Sequence, residues 1–358
     1  MGCKTGVEIK MRQYIAHNGE VVLSLPEFAE NSLNLIPLYR AMLLTRMFDE
    51  KAVSLQRTGR LGTYASSLGQ EAVGVGVAAA MRKDDVLLPS FREQSAMLWR
   101  GVSMTELLLY WGGDERGSDF TAARHDFPIC IPVGTHLPHA TGVGFALKQG
   151  KNDAVAVAIA GDGATSKGDF YEALNVAGVW RLPVIFVINN NQWAISVPRS
   201  RQTASETLAQ KAVAAGIEGV QVDGNDVVAV QQVVAQAIQR ARKYNAPTLI
   251  EAVTYRLTDH TTADDASRYR SDEEVSKYWH YEPLRRLRDY LEKCSAWNRS
   301  DEDSLHKEIA TQVDDAVTAY LDMPPQSITS IFDHLYGELP SVLREQRTMA
   351  ADREVKDA

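Results

Sequence analysis

The chain has 358 residues, of which 45% are hydrophobic and 23% charged, which is the composition of a folded globular protein with an ample core and excludes a disordered chain. Its net charge of -8 argues against a nucleic-acid partner, because phosphate binding needs a basic surface. The sequence also lacks the run of roughly 18 apolar residues that a membrane-spanning helix requires. Cys3, Cys130 and Cys294 lie far apart and form no metal spacing, as in a reducing compartment without structural disulfides, so a cytoplasmic location is expected. The start, MGCKTGVEIK, has no apolar core for a signal peptide, and Gly6 stands where a myristoylation motif at Gly2 requires Ser or Thr.

In chain order, residues 1–30 read as an extended arm with Asn18-Gly19 as a hairpin turn. Leu35, Leu38, Tyr39, Met42, Leu43, Arg46, Met47 and Ala52 recur at helical spacing and predict a long amphipathic scaffold helix ending near Arg57. The Gly- and Ser-rich loop RTGRLGTYASSLGQEA leads into a small-residue helix over 70–81. Gly74, Gly76 and Ala79 match G-x-G-x-x-A, but a dinucleotide fingerprint follows a strand and this one follows polar SSLGQE, so the glycines are assigned to helix packing. Val86 to Leu88 is a short strand that places Phe91 and Arg92 at its carboxyl end. A guanidinium there offers a planar fork to anionic oxygens, although a lone arginine is more often surface charge. After a polar, irregular stretch over 112–132, His136 and His139 share a loop and read as hydrogen-bonded structural histidines. Gly142, Gly144 and Ala146 predict close packing of the helix that follows.

The centre of the chain is AVAVAIAGDGATSKGDFYEALNVAGVWRLPVIFVINNNQWAIS. An apolar strand over 154–160 ends in Gly161-Asp162-Gly163. A helix follows, capped by Asp169 and carrying Phe170, Leu174, Ala177 and Val179 on its buried face, and Pro183 prevents its continuation. Val184 to Ile188 is a second apolar strand. Two strands joined by a crossover helix run parallel and end at the same sheet edge, so Asp162 and Asn191 meet where open α/β sheets bind ligands. An anionic oxygen and an amide oxygen are hard ligands suited to magnesium, with the backbone carbonyl of Trp193 as a candidate third. Either triplet alone, Gly-Asp-Gly or Asn-Asn-Asn, reads as a turn or a strand end.

Further on, residues 205–215 are expected to be helical. Val220 to Val222 is a strand, and Asp226 caps a helix with Val227, Val230, Val234, Ala237 and Ile238 buried. Thr248 to Tyr255 is another strand. The long polar loop RLTDHTTADDASRYRSDEE follows at that strand's carboxyl end and carries His260, by itself a solvated loop histidine. Helices interrupted by Pro283 and by Pro324-Pro325 close the chain, with Ile331, Phe332, Leu335 and Leu339 available to a partner. Strands alternating with helices from Val86 to Tyr255 predict an α/β fold with a doubly wound parallel sheet over 31–270 and a helical extension over 271–358.

GDGATSKGDFYEALNVAGVWRLPVIFVINN resembles the thiamine diphosphate motif, Gly-Asp-Gly followed by Asn-Asn. With GRLGTYASSLGQEA, LLPSFREQS, IPVGTHLPHATGVG, NNQWAIS, VDGND, PTLIEAVTYR and DHTTADDASRYR, the chain resembles the alpha subunits of bacterial 2-oxo acid dehydrogenases over about residues 35–345. The resemblance implies the thiamine diphosphate-binding fold and a set of roles. Asp162, Asn191 and the Trp193 carbonyl would hold magnesium. Gly163 and Ala164 would offer N–H groups to the diphosphate, contacted also by Phe91 and Arg92. Phe91 replaces a common Tyr, which removes one hydroxyl contact. Ile131 and Val133 match positions that meet the aminopyrimidine ring, and His260 matches a histidine that assists transfer to a lipoyl group. The resemblance also implies oxidative decarboxylation of a small 2-oxo acid, pyruvate before a branched-chain acid. It implies an α2β2 heterotetramer in which a beta subunit carries the glutamate that protonates the cofactor, and the lipoyl domain of an acyltransferase core as acceptor. The reading from a different class is a noncatalytic α/β scaffold subunit.

Overall fold

The structure is a computed structural model that describes residues 8–357. Cys3 and the Gly2 and Gly6 positions lie outside the described residues. Six strands form one parallel sheet: β1 (Met11–Arg12), β2 (Val86–Leu88), β3 (Ala156–Gly161), β4 (Val184–Asn190), β7 (Glu218–Asp223) and β8 (Thr248–Val253), in the spatial order β1-β7-β8-β4-β3-β2. A small antiparallel hairpin, β5 (Trp193–Ala194) with β6 (Val197–Pro198), follows β4.

Strands β3 and β4 carry uninterrupted apolar runs, Ala156–Ala160 and Val184–Ile188, because both faces of the sheet are covered there. Val157 and Ile159 of β3, with Ile185 and Val187 of β4, pack under α1 (Ile36–Arg57), α2 (Glu71–Ala80) and α3 (Gln94–Trp99). Ala156, Ala158 and Ala160 face the other way, against α4 (His136–Gln149) and α5 (Gly168–Trp180). The first side is completed by α6 (Val227–Tyr244), whose cap Asp226 accepts from the backbone N–H of Val228 and Ala229 and also of Tyr14 and Ile15. Thus the cap that starts α6 also ties down the amino-terminal arm. That arm turns at Gly19, at φ 76°, with Ile15 bridged to Val21. On the same side α7 (Pro283–Lys293) and α8 (Arg299–Leu321) supply Leu284, Leu287, Leu305 and Ile309 to the core.

The glycines of α2 serve packing, as expected. A Cβ on Gly76 would lie 2.8 Å from Val230 of α6, and one on Gly74 would lie within 2.8 Å of the Ala96 nitrogen of α3. Several local expectations are corrected. His136 and His139 are in the first turns of α4, not in a loop: Pro138 is the third helical residue, where its missing N–H has no intrahelical partner to lose. Of Gly142, Gly144 and Ala146 on α4 only Gly144 is buried, against Val184 and Leu182, while Gly142 and Ala146 face outward. In α5 the cap position is Lys167 and Asp169 lies inside the first turn. Val179 is 69% exposed because it lies half a turn away from the Phe170, Leu174 and Ala177 stripe. Residues 205–208 are not helical, since Arg199 binds the carbonyls of Ser205 and Glu206; only Ala209–Ala215 winds, as a 3₁₀ turn. Pro283 opens α7 at its first turn rather than interrupting a helix. Ile331 and Leu335 are exposed. Among the described residues no helix is long and apolar enough to cross a membrane.

Candidate active site

The carboxyl ends of three adjacent strands, β4, β3 and β2, deliver Asn191, Asp162, and Phe91 with Arg92, and the segment after the neighbouring β8 delivers His260, to one cavity of about 580 Å³. Gly163, Ala164 and Trp193 line the same cavity, and so do Ile131 and Val133, which are about half exposed. All ten residues singled out in the sequence therefore share one space, although they come from five separate segments.

Asp162 starts a 3₁₀ turn over Asp162–Ser166, closed by the Thr165 hydroxyl donating to the Asp162 carbonyl at 2.8 Å. Its side chain is 2% exposed and accepts from Gln202 Nε2 at 2.5 Å. Burial raises the pKa of this carboxyl, opposed by that hydrogen bond. Asn191 is held by both ends of its amide: Oδ1 accepts from the Trp193 N–H at 3.2 Å and Nδ2 donates to Gln70 Oε1 at 2.9 Å. Gln192 and Ile195, both at positive φ, turn the chain on either side of Trp193. The Trp193 carbonyl accepts from Arg256 at 3.2 Å, which uses one of its two lone pairs. Among the described residues no group of three or more His, Cys, Asp or Glu side chains could enclose a metal. A carboxylate, an amide oxygen and a carbonyl instead make a partial set of hard donors, the kind magnesium completes with water and phosphate oxygens.

One buried cation, Arg92, lines the same cavity, and a second, Arg256, is bonded to the wall residues Trp193 and Ile195. Arg92 is 6% exposed, donates to the carbonyls of Ser66 and of His260, the latter at 2.8 Å, and lies 3.2 Å from His260 Nδ1. A guanidinium only donates, so His260 Nδ1 is the bare nitrogen of a neutral ring. Arg256, fully buried, donates to the carbonyls of Trp193 and Ile195 and to the Tyr269 hydroxyl. Burial first, then Arg256, pushes the Arg92 pKa down to about 10. Burial, then Arg92 and Arg256, pushes His260 down to about 4. Neither guanidinium forms an ion pair among the described residues: their partners are carbonyls, a hydroxyl and the His260 ring. A buried cation without an ion-pair partner carries a desolvation penalty that an anion beside it would offset. The Phe91 ring meets His260 edge-on at 5.9 Å.

Some residues of the site are not evident from sequence reasoning. Arg256 stands in what reads as a solvated polar segment, and its place in the string PTLIEAVTYR was the only signal. Gln70 and Gln202 gave none beyond their neighbourhood. His136, read as structural, does donate from Nε2 to the Ile159 carbonyl at 2.9 Å, yet it also lines the cavity, and burial lowers its pKa to about 4. His139 packs near Phe127 instead.

Comparison with known proteins agrees with this geometry. The profile of the family described as "Dehydrogenase E1 component" matches residues 39–328. The chain is 39% identical over 355 residues, 98% of its length and 95% of the relative's, to the pyruvate dehydrogenase E1 component subunit alpha of Staphylococcus aureus. It is 44% identical over 313 residues, 87% of its length and 84% of the relative's, to the 3-methyl-2-oxobutanoate dehydrogenase subunit alpha of Mycobacterium tuberculosis. With the match extending over most of the chain and the site assembled at the strand ends, the protein belongs to the dehydrogenase E1 component family.

Proposed function

We propose that this chain is the alpha subunit of a thiamine diphosphate-dependent 2-oxo acid dehydrogenase that decarboxylates pyruvate and passes the acetyl group to the lipoyl group of an acyltransferase core. The supporting observation is the cavity itself, where the buried Arg92, without an ion-pair partner among the described residues, stands beside a partial set of hard oxygen donors, with buried Arg256 bonded to the wall residues Trp193 and Ile195. A magnesium diphosphate satisfies both at once. Asp162, Asn191 and the Trp193 carbonyl hold the metal; its charge keeps Asp162 ionised despite burial. Arg92, with Phe91 at its side, and the backbone N–H groups of Gly163 and Ala164 hold the diphosphate. Ile131 and Val133, which line the same cavity, meet the aminopyrimidine.

When bound, thiamine diphosphate supplies the electron sink on which a 2-oxo acid loses carbon dioxide. His260 is neutral near pH 7 and bare at Nδ1, which Arg92 faces, so its Nε2 N–H is the group left to donate a proton or hydrogen bond during transfer to the lipoyl sulfur. The glutamate that protonates the aminopyrimidine is assigned to a beta subunit, and the active assembly is an α2β2 heterotetramer. The identity to the mycobacterial relative favours a second reading for the substrate, a branched-chain 2-oxo acid. Coexpression with the beta subunit, followed by decarboxylation assays on pyruvate and on 3-methyl-2-oxobutanoate, tests the proposal. A kcat/KM higher for pyruvate is expected; a higher value for the branched acid would replace pyruvate as substrate, and turnover of neither would refute the proposal.

A further inference from the structure

Two glutamines outside the roles above hold the two side chains assigned to the metal. Gln202 Nε2 donates to Asp162 Oδ2 at 2.5 Å and to the Val197 carbonyl at 3.2 Å. Both partners can only accept, which fixes that amide with its nitrogen toward Asp162. On the other side, the Trp193 N–H donates to Asn191 Oδ1, which fixes Asn191 with its nitrogen toward Gln70 and therefore fixes Gln70 with its oxygen toward Asn191. Each amide is thus oriented by a group whose direction is not in question.

The far atoms of the two glutamines then stand out. Among the described residues Gln70 Nε2 and Gln202 Oε1 are buried without a hydrogen-bond partner, as are eight other polar side-chain atoms. Gln70 is 2% exposed, occupies the cap position of α2 and lines the cavity. An orphaned buried polar atom carries a desolvation penalty, and of the amides with one among the described residues, Gln70, Gln94, Gln202, Asn225 and Gln231, only Gln70 lines the cavity. An unpaired N–H donor in the wall of the cavity that Arg92 also lines is complementary to an anionic oxygen.

We infer that Gln70 and Gln202 are positioning residues of the metal-diphosphate site: Gln202 sets the Asp162 carboxylate, and Gln70 sets the Asn191 amide while its own N–H reaches a diphosphate oxygen. This rests on the magnesium diphosphate reading proposed above. Outer partners of this kind orient metal ligands and typically change affinity by about 10- to 100-fold when removed. Because Gln70 spans two roles, its substitutions separate them. Gln70→Met removes both the acceptor for Asn191 and the donor, whereas Gln70→Glu keeps an acceptor for Asn191 and removes the donor.

The test uses the complex of this chain with its beta subunit, with Mn²⁺ as the metal probe and free Mn²⁺ followed by electron paramagnetic resonance at saturating thiamine diphosphate. Size and melting temperature verify assembly of each variant. Gln202→Met and Gln70→Met are expected to weaken Mn²⁺ binding about 10- to 100-fold. Gln70→Glu is expected to restore Mn²⁺ affinity towards the parent value while thiamine diphosphate affinity, measured by calorimetry at saturating Mn²⁺, stays at least several-fold weaker. If Gln202→Met does not assemble, Gln202→Asn, one methylene shorter, takes its place. Mn²⁺ affinities within twofold of the parent in the Gln202 and Gln70→Met variants would overturn the inference and leave the site reading intact. Absence of thiamine diphosphate-dependent Mn²⁺ binding in the parent complex would overturn the site reading itself.

Discussion

Asp162 shows how a site side chain works against the stability of the ligand-free fold. Its carboxyl is buried with no cation bonded to it, and burial raises its pKa. A group whose folded pKa lies above its unfolded value contributes stability at low pH that is lost as pH rises through the folded pKa. At pH 7 the ionised side chain therefore destabilises the apo chain. Asp162→Asn keeps the bond from Gln202 and removes the charge, so without metal or cofactor it is expected to melt higher than the parent at pH 7, with the difference shrinking as pH falls into the carboxylate range. Magnesium-dependent cofactor binding should fall by more than about 100-fold, beyond the loss of an outer partner. A lower melting point together with unchanged affinity in calorimetry would contradict both halves. His260 is a second case at this scale. His260→Ala deletes a partly buried ring from a loop, so reductive acylation of the lipoyl domain should drop by about 100-fold or more while the melting temperature hardly moves. An unchanged overall rate in the reconstituted complex would remove His260 from the reaction. Asp162 and Asn191 were legible in the sequence because each terminates an apolar strand of one crossover unit. Arg92 and His260 had their roles only from the family resemblance. Arg256 was hidden, since its burial depends on the carbonyls of Trp193 and Ile195 and the hydroxyl of Tyr269, all distant from it in the chain.

At the level of elements, the site depends on how closely α2 approaches its neighbours. Gly76 lets α2 touch α6, and Gln70 sits at the cap position of α2, so the contact that packs two helices also sets one wall of the cavity. Gly76→Val would push a branched side chain into Val230 and should cost about 1–3 kcal/mol, read as a lower urea midpoint. A midpoint equal to the parent's would mean that α2 shifts without penalty. Helices and strands with strong apolar periodicity were readable in advance, including α1, α6 and the four central strands. Errors arose where another group captured the local backbone, as Arg199 does at Ser205 and Glu206, or where a proline fell in a first turn that has no bond to lose, as Pro138 and Pro283 do.

For the whole molecule, the proposed division of labour predicts that the purified chain without its beta subunit decarboxylates neither pyruvate nor a branched-chain 2-oxo acid, in a carbon dioxide release assay with thiamine diphosphate and magnesium. Turnover by the lone chain would refute a shared site. The sequence by itself determined the parallel α/β architecture, the strand-end placement of Asp162 and Asn191, and the family, because periodicity, strand termini and ordered motifs are local in the chain. Only the tertiary structure decided that two guanidiniums are buried without an ion-pair partner among the described residues, that His260 is bare at Nδ1, and that Gln70 and Gln202 hold the Asn191 and Asp162 side chains. Those properties are set by which groups from distant segments exclude water from one another, and no local pattern of residues encodes them.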